Sequence, residues 1–319
     1  MKWGDKPYHS LDYELKQRYG GKVYKLSLTS GCSCPNRDGS ISNGGCIFCS
    51  EGGSGDFASK FSTDILSQIK EAKEKVISKC GKKSAGFIAY FQSYTNTYGN
   101  ADYLRDIFKA AMEPDDILGL SIGTRPDCLP DDMLKMLSEL NKIKPVWVEL
   151  GLQTIHEETA ELINRGYKLE VFEDALSKLK DAGLEVIAHV IIGLPGEDDR
   201  DIKETVNYLA NGISSVNGYK ARIDGIKLHL MHVMKGTELG RRYEGGMAGI
   251  YEYSLEEYTD LLIDLIEVLP GDIVIHRITG DAPKRLLLAP LWSADKKRVL
   301  NTIHKRFKER DSYQGKLFS

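Results

Sequence analysis

Six short apolar, β-rich runs alternating with helix-like stretches constrain the fold of this 319-residue chain more than any other feature. The runs are Val23–Leu28, Phe87–Phe91, Leu118–Ile122, Val146–Leu150, Glu185–Ile192 and Gly225–Leu230. Helical patterns occupy 103–112, 131–140, 157–164, 169–182 and 198–211. Strands separated by helices cannot close tight hairpins, so the pattern predicts a parallel sheet covered by helices. Six units suit an α/β fold of the partial (β/α)6, TIM-like barrel kind; periodicity alone also admits a doubly wound sheet. In either fold, ligand chemistry collects where strands end. There the chain turns polar and glycine-rich, at 92–98, Gly123-Thr124-Arg125-Pro126-Asp127, Gly151-Leu152-Gln153-Thr154 and Gly193-Leu194-Pro195-Gly196-Glu197. A rim of this kind favours an enzyme over a structural module.

Beyond residue 250 the alternation changes to an amphipathic helix at 255–268, a short strand at 272–275 and a basic helix at 295–310. The expected division is a barrel over 1–250, including an N-terminal cysteine loop, and a helical, basic C-terminal extension over 251–319. The net charge of −3 conceals an asymmetry, because the segment from His276 onward carries +7 and the rest −10. A basic end on an acidic body points to an anionic partner, nucleic acid first; a solvated basic helix is the plainer reading. The most apolar run, Val186 to Leu194, is interrupted by His189 and Gly193 and is far shorter than the ~20 residues of a membrane span. No membrane partner is expected. The first residues hold no apolar signal core, and the expectation is a chain in the reducing cytoplasm.

Four of the six cysteines, Cys32, Cys34, Cys46 and Cys49, fall within eighteen residues, in a loop with Pro35, Gly39, Gly44 and Gly45. In a reducing compartment such a cluster signals a metal more than a disulfide. Two readings compete. Four thiolates could close round a structural zinc; three could hold a [4Fe-4S] cluster and leave one iron open. Cys80 reads as an ordinary cysteine, and Cys128 lies on the rim. Tyr90, Tyr94 and Tyr98 recur at four-residue spacing, suiting base stacking or plain packing.

Several segments together resemble the radical SAM superfamily: Cys34-Pro35-Asn36-Arg37-Asp38-Gly39 with Gly45-Cys46-Ile47-Phe48-Cys49, Gly123 to Pro130, Glu149 to Thr154, His189 to Glu197, and Lys235-Gly236-Thr237. With Thr279 to Pro283 and Leu288 to Ser293, nearly the whole chain is similar to the YhcC/YtqA family, on the elongator-type side of that superfamily. The resemblance implies that Cys34, Cys46 and Cys49 ligate a [4Fe-4S] cluster whose open iron binds S-adenosylmethionine, with Cys32 a bystander. It implies cofactor contacts from Phe48 to adenine and from Gln92 to the methionine amino group. Gln153 and Arg165 match a pair holding ribose hydroxyls and the methionine carboxylate, and His189 stands where relatives carry an acidic ribose ligand. Gly193 would let the backbone approach adenine. Gly123 replaces a glutamate of elongator-type relatives, leaving Thr124 or Arg125 to make that contact. The implied substrate is the 5-carboxymethylaminomethyl group of tRNA wobble uridine, trimmed to aminomethyl, with a flavodoxin- or ferredoxin-type electron donor. The alternatives are a small-molecule or protein substrate for the same radical, or a zinc-stabilised RNA-binding protein without catalysis.

Overall fold

The computed structural model describes residues 3–53, 61, 62, 64–80, 84–214 and 218–318. Seven strands form one sheet in chain order: β1 (Val23–Leu28), β2 (Gly86–Phe91), β3 (Ile117–Thr124), β4 (Val146–Gln153), β5 (Glu185–Ile192), β6 (Gly225–Leu230) and β7 (Val274–Arg277). Every neighbouring pair is parallel. Because the order never reverses, the sheet is wound in one direction and is not doubly wound. It also curls. The Tyr90 hydroxyl on β2 lies 3.0 Å from Lys227 Nζ on β6, whereas four strand spacings in a flat sheet would separate those backbones by about 19 Å. The expected TIM-like partial barrel is therefore the observed fold, with a seventh strand added to the expected six.

Ten helices accompany the sheet among the described residues: α1 (Leu11–Tyr19), α2 (Ile65–Cys80), α3 (Ala101–Met112), α4 (Asp131–Asn141), α5 (Glu157–Leu162), α6 (Leu169–Asp181), α7 (Asp199–Asn211), α8 (Glu238–Glu244), α9 (Leu255–Glu267) and α10 (Lys296–Glu309). Side-chain oxygens fix several starts, as at Asn100 before α3 and in the capping boxes of Asp198 before α7 and Ser254 before α9. Helices α1, α2 and α8 lie outside the helical stretches marked by the sequence pattern. Helix α1 buries only Leu15, too little to write a periodic signal.

Strand alternation divides the molecule into two interiors. Outward-facing Leu26, Phe91, Ile122, Val148, Val190 and Leu228 pack under the helices. Val23, Ile88, Trp147 and Ile187 face inward and, with Leu15, plug the bottom of the barrel. The chain beyond residue 250 is built onto this body. Its short strand lies at Val274–Arg277, two residues later than expected, and pairs with β6 in the common sheet. Ile275 also donates its N–H to the His9 carbonyl (2.7 Å), so the N-terminal segment flanks the open edge of β7.

Candidate active site at the mouth of the barrel

A cavity of about 450 Å³ opens at the C-terminal ends of the strands, within the range of small-molecule sites. Its lining includes Cys34, Cys46 and Cys49 on one side and Gln92, Thr124, Gln153 and His189 on others.

The cysteine loop is held by its own turns and by the segment after α5. Arg37 and Asp38 donate N–H to the Cys34 carbonyl (2.8 and 3.2 Å), and Cys49 donates to Cys46 (3.0 Å). Gly45, at φ +72°, receives Asn164 Nδ2 on its carbonyl (2.7 Å). Arg37 Nη2 donates to the carbonyls of Cys49 (3.0 Å) and Ser50 (2.6 Å). Asn36 Nδ2 donates to the Asn164 carbonyl (2.6 Å) and to Cys46 Sγ (3.6 Å). Its neighbour Cys49 and then burial push the Cys46 thiol up, and Cys34 adds to the crowding. Cys32 points elsewhere: its Sγ packs against Gly99 and the helix-side core, and burial raises its thiol.

The donor set separates the two metal readings. Among the described residues no group of three or more His, Cys, Asp or Glu converges tightly enough for a single ion, and Cys32 is not on the cavity wall. A four-thiolate zinc site needs both. In a [4Fe-4S] cluster each thiolate binds a different iron, so three thiols spread along one wall fit it.

The other expected contacts divide. Phe48 lines the cavity and packs with Ile47, Ile163 and Leu194. Thr124 lines it too, its hydroxyl 2.5 Å from that of Thr97. Gln153 ends β4 at φ +64°, with its side-chain amide 3.1 Å from the Tyr167 hydroxyl, which donates more closely to the Gly151 carbonyl. His189 Nε2 lies 2.7 Å from Glu149 Oε2, which fixes the ε-protonated tautomer, and burial pushes the imidazole down to about 4. Arg165 lines the cavity too, with most of its donors already in use. Its guanidinium is 1% exposed and donates to the carbonyls of Tyr167 (2.9 Å), Leu152 (3.1 Å) and Thr154 (2.7 Å), with Glu157 at 3.4 Å. Those bonds tie the end of β4 to the segment after α5, and a methionine carboxylate would compete with them. Gly193 departs from expectation: it stands off the cavity wall beside Tyr253 and Met231, and its φ of +88° is what requires glycine. Cys128 is buried behind Arg125 and Asp127, and Cys80 ends α2 with its side chain outside the described residues.

Sequence reasoning missed the layer beneath. Glu149, 1% exposed, accepts from Lys25 Nζ (2.6 Å), Ser121 Oγ (2.5 Å), His189 and Lys227. Burial opposes its ionisation, but Lys227 and Lys25 prevail and hold the carboxyl well below the usual range. Tyr167 was also missed; its ring lies between the guanidinium groups of Arg125 (4.8 Å) and Arg165 (4.7 Å). The signal for the buried layer was present as ionisable residues at inward positions of strands.

The family model described as the Radical SAM superfamily matches residues 38–209, more than half of the chain. The chain belongs to the radical SAM superfamily. A second model, the Radical_SAM C-terminal domain, matches residues 223–309 of this superfamily member. The uncharacterized protein YtqA of Bacillus subtilis is 43% identical over 314 residues, covering 98% of this chain and 94% of YtqA. Protein YhcC of Escherichia coli K12 is 38% identical, with 88% and 85% covered. Membership of the YtqA/YhcC family follows. The solved archaeal Methanocaldococcus infernus Elp3 aligns at a TM-score of 0.68 and 20% identity over 92% of this chain and 64% of Elp3, a likeness of fold. The cofactors of this superfamily are a [4Fe-4S] cluster and S-adenosylmethionine, and the thiol-lined cavity suits both. No helix among the described residues is long and apolar enough to cross a membrane.

Proposed function

We propose that this radical SAM enzyme acts on tRNA, converting the 5-carboxymethylaminomethyl group of wobble uridine to 5-aminomethyl, with electrons from a flavodoxin- or ferredoxin-type donor; loss of a hydrogen atom, an electron and a proton from the carboxymethyl arm gives an imine, and water splits its C–N bond to release the two carbons as glyoxylate. When bound, the cluster and S-adenosylmethionine supply a 5′-deoxyadenosyl radical able to take a hydrogen atom from a substrate carbon. The chain's part is to position and to exclude water. Cys34, Cys46 and Cys49 would hold the cluster, Gln153 and His189 would meet the ribose, Gln92 the methionine amino group, and Phe48 and Thr124 would flank the nucleoside.

The observation that supports a polynucleotide is the charge beside the mouth. Asp281 lines the cavity and pairs with Lys296, the first residue of α10, at 2.6 Å. Around it Lys284, Arg285, Lys297 and Arg298 are exposed, and among the described residues no carboxylate pairs with them. Phosphates are the natural counter-charge for such a surface, and an anticodon base can leave its stack to enter the cavity.

Two experiments test the reading. Anaerobically reconstituted protein with dithionite should release 5′-deoxyadenosine from S-adenosylmethionine, while Cys34→Ala, Cys46→Ala and Cys49→Ala should lose bound iron; unchanged iron would refute the ligand set. Nucleoside analysis of tRNA from a deletion strain should show carboxymethylaminomethyl uridine accumulating at the expense of the aminomethyl form. An unchanged wobble-uridine profile would favour a small-molecule or protein substrate.

A further inference from the structure

The floor of the cavity carries more basic groups than carboxylates to match them. Lys227 and Arg277 line it, and Lys25 approaches Glu149 from the opposite side of the layer. Two ammonium groups therefore share the single Glu149 carboxylate. Among the described residues Arg277 is matched only by Asp281, at 3.6 Å, and Asp281 is held more closely by Lys296 at 2.6 Å. Four basic groups thus face two carboxylates. His189 and His229, whose rings stand 5.1 Å apart, are kept neutral by burial and add no counter-charge, and Tyr90 offers Lys227 a hydroxyl at 3.0 Å. Lys227 is 4% exposed, and burial pushes its amine down to about 7, so that near neutrality it holds its proton only in part until an anion arrives beside it. An unmatched buried charge is costly, and a ligand anion delivered there removes the cost.

We infer that Lys227 and Arg277 form a subsite for a carboxylate carried by the substrate. An ammonium beside a guanidinium matches a planar, singly charged group. Backbone phosphates of a polynucleotide remain outside a cavity of about 450 Å³, and only a slender substituent reaches its floor. The subsite rests on the tRNA reading for its natural ligand: the carboxymethyl end of the wobble substituent would be anchored there, holding the adjoining methylene groups below the adenosyl radical.

The test uses reconstituted holoenzyme saturated with S-adenosylmethionine, which covers the open iron, titrated by calorimetry with N-acetylglycine, which carries a single N-carboxymethyl group; the affinity for S-adenosylmethionine is measured separately. Lys227→Met leaves Lys25 to balance Glu149 one to one, and Arg277→Gln alters a less buried cation. Each should weaken N-acetylglycine at least tenfold and leave the affinity for S-adenosylmethionine within twofold. With tRNA bearing the carboxymethylaminomethyl or the aminomethyl group, wild-type protein should prefer the anionic form, and the variants should lose that preference. Undiminished N-acetylglycine binding in both variants overturns the subsite. So does an equal loss of S-adenosylmethionine, which would assign these cations to the methionine carboxylate. Lysine-dependent probe binding without turnover of tRNA would retire the tRNA reading and leave the subsite standing.

Discussion

A side chain's type states what it can bind, and its neighbours decide whether it is still available. Arg165 illustrates this. A guanidinium twelve residues after Gln153 suggested a carboxylate clamp; on the cavity wall three backbone carbonyls take its Nε and Nη1 donors, and Nη2 has Glu157 at 3.4 Å. Arg165→Lys should accordingly lower stability by about 2–4 kcal/mol in urea titration, since buried carbonyls lose donors, with little change in the cofactor affinity of the folded protein. A clamp would show the reverse. The buried histidines carry a second residue-scale consequence. His189 and His232 are pushed down to about 4 by burial, and His229 and His276 are held well below the usual value. The unfolded chain takes up protons near pH 6.5 while the folded one does not, so stability is fully present above that pH and is lost as pH falls toward 4. Each imidazole contributes up to ~1.4 kcal/mol per pH unit in that window. His276→Phe, which keeps a ring against Trp147 and removes a nitrogen with no partner, should flatten the acid limb of stability against pH by about one such increment.

At the scale of elements, the cysteine loop shows how a glycine-rich segment with little apolar content is given one shape. Asn164, at φ +55°, donates to Ser42 (3.2 Å) and to Gly45 (2.7 Å), and its carbonyl receives Asn36. Ile47 is tied to the Ile163 carbonyl at 3.1 Å on the same segment. The loop is thus shaped by residues more than a hundred positions away. Asn164→Ala removes two hydrogen bonds and adds a strained backbone, a cost of about 2–3 kcal/mol. Iron retained after desalting should fall below that of wild type, and retention at the wild-type level would mean the loop orders itself. Strand ends behave similarly. Gly123, Thr124 and Gln153 read as rim loops but complete β3 and β4, because pairing with neighbouring strands continues past the apolar run.

Over the whole molecule, charge is sorted by partner. Arg306 and Arg310 of the basic helix pair with Asp260, Asp264 and Glu267 of α9, so part of the +7 end serves internal cohesion. Lys284, Arg285, Lys297 and Arg298 have no carboxylate partner among the described residues, and on the proposed tRNA reading they face phosphates. Replacing these four with alanine should reduce the slope of log affinity for tRNA against log salt by about 0.7–0.9 for each phosphate no longer neutralised. Arg310→Ala should lower thermal stability and leave that slope unchanged. Equal effects from both sets would argue against a defined phosphate-binding face.

The sequence by itself determined the alternation of strands and helices, the place of the cysteine loop after the first strand, and the split between an acidic body and a basic end. These follow from local periodicity and from residue identity. What only the tertiary structure decided was the direction of winding, the joining of the Val274–Arg277 strand to the common sheet, and the turning of Cys32 away while Cys34, Cys46 and Cys49 share one wall. It also decided the commitment of Arg165 to backbone carbonyls and the gathering of Lys25, Glu149, His189 and Lys227 into one buried layer. Those features depend on which distant residues meet when the sheet curls. Strand periodicity reports which way a side chain faces and leaves open which partner it finds there.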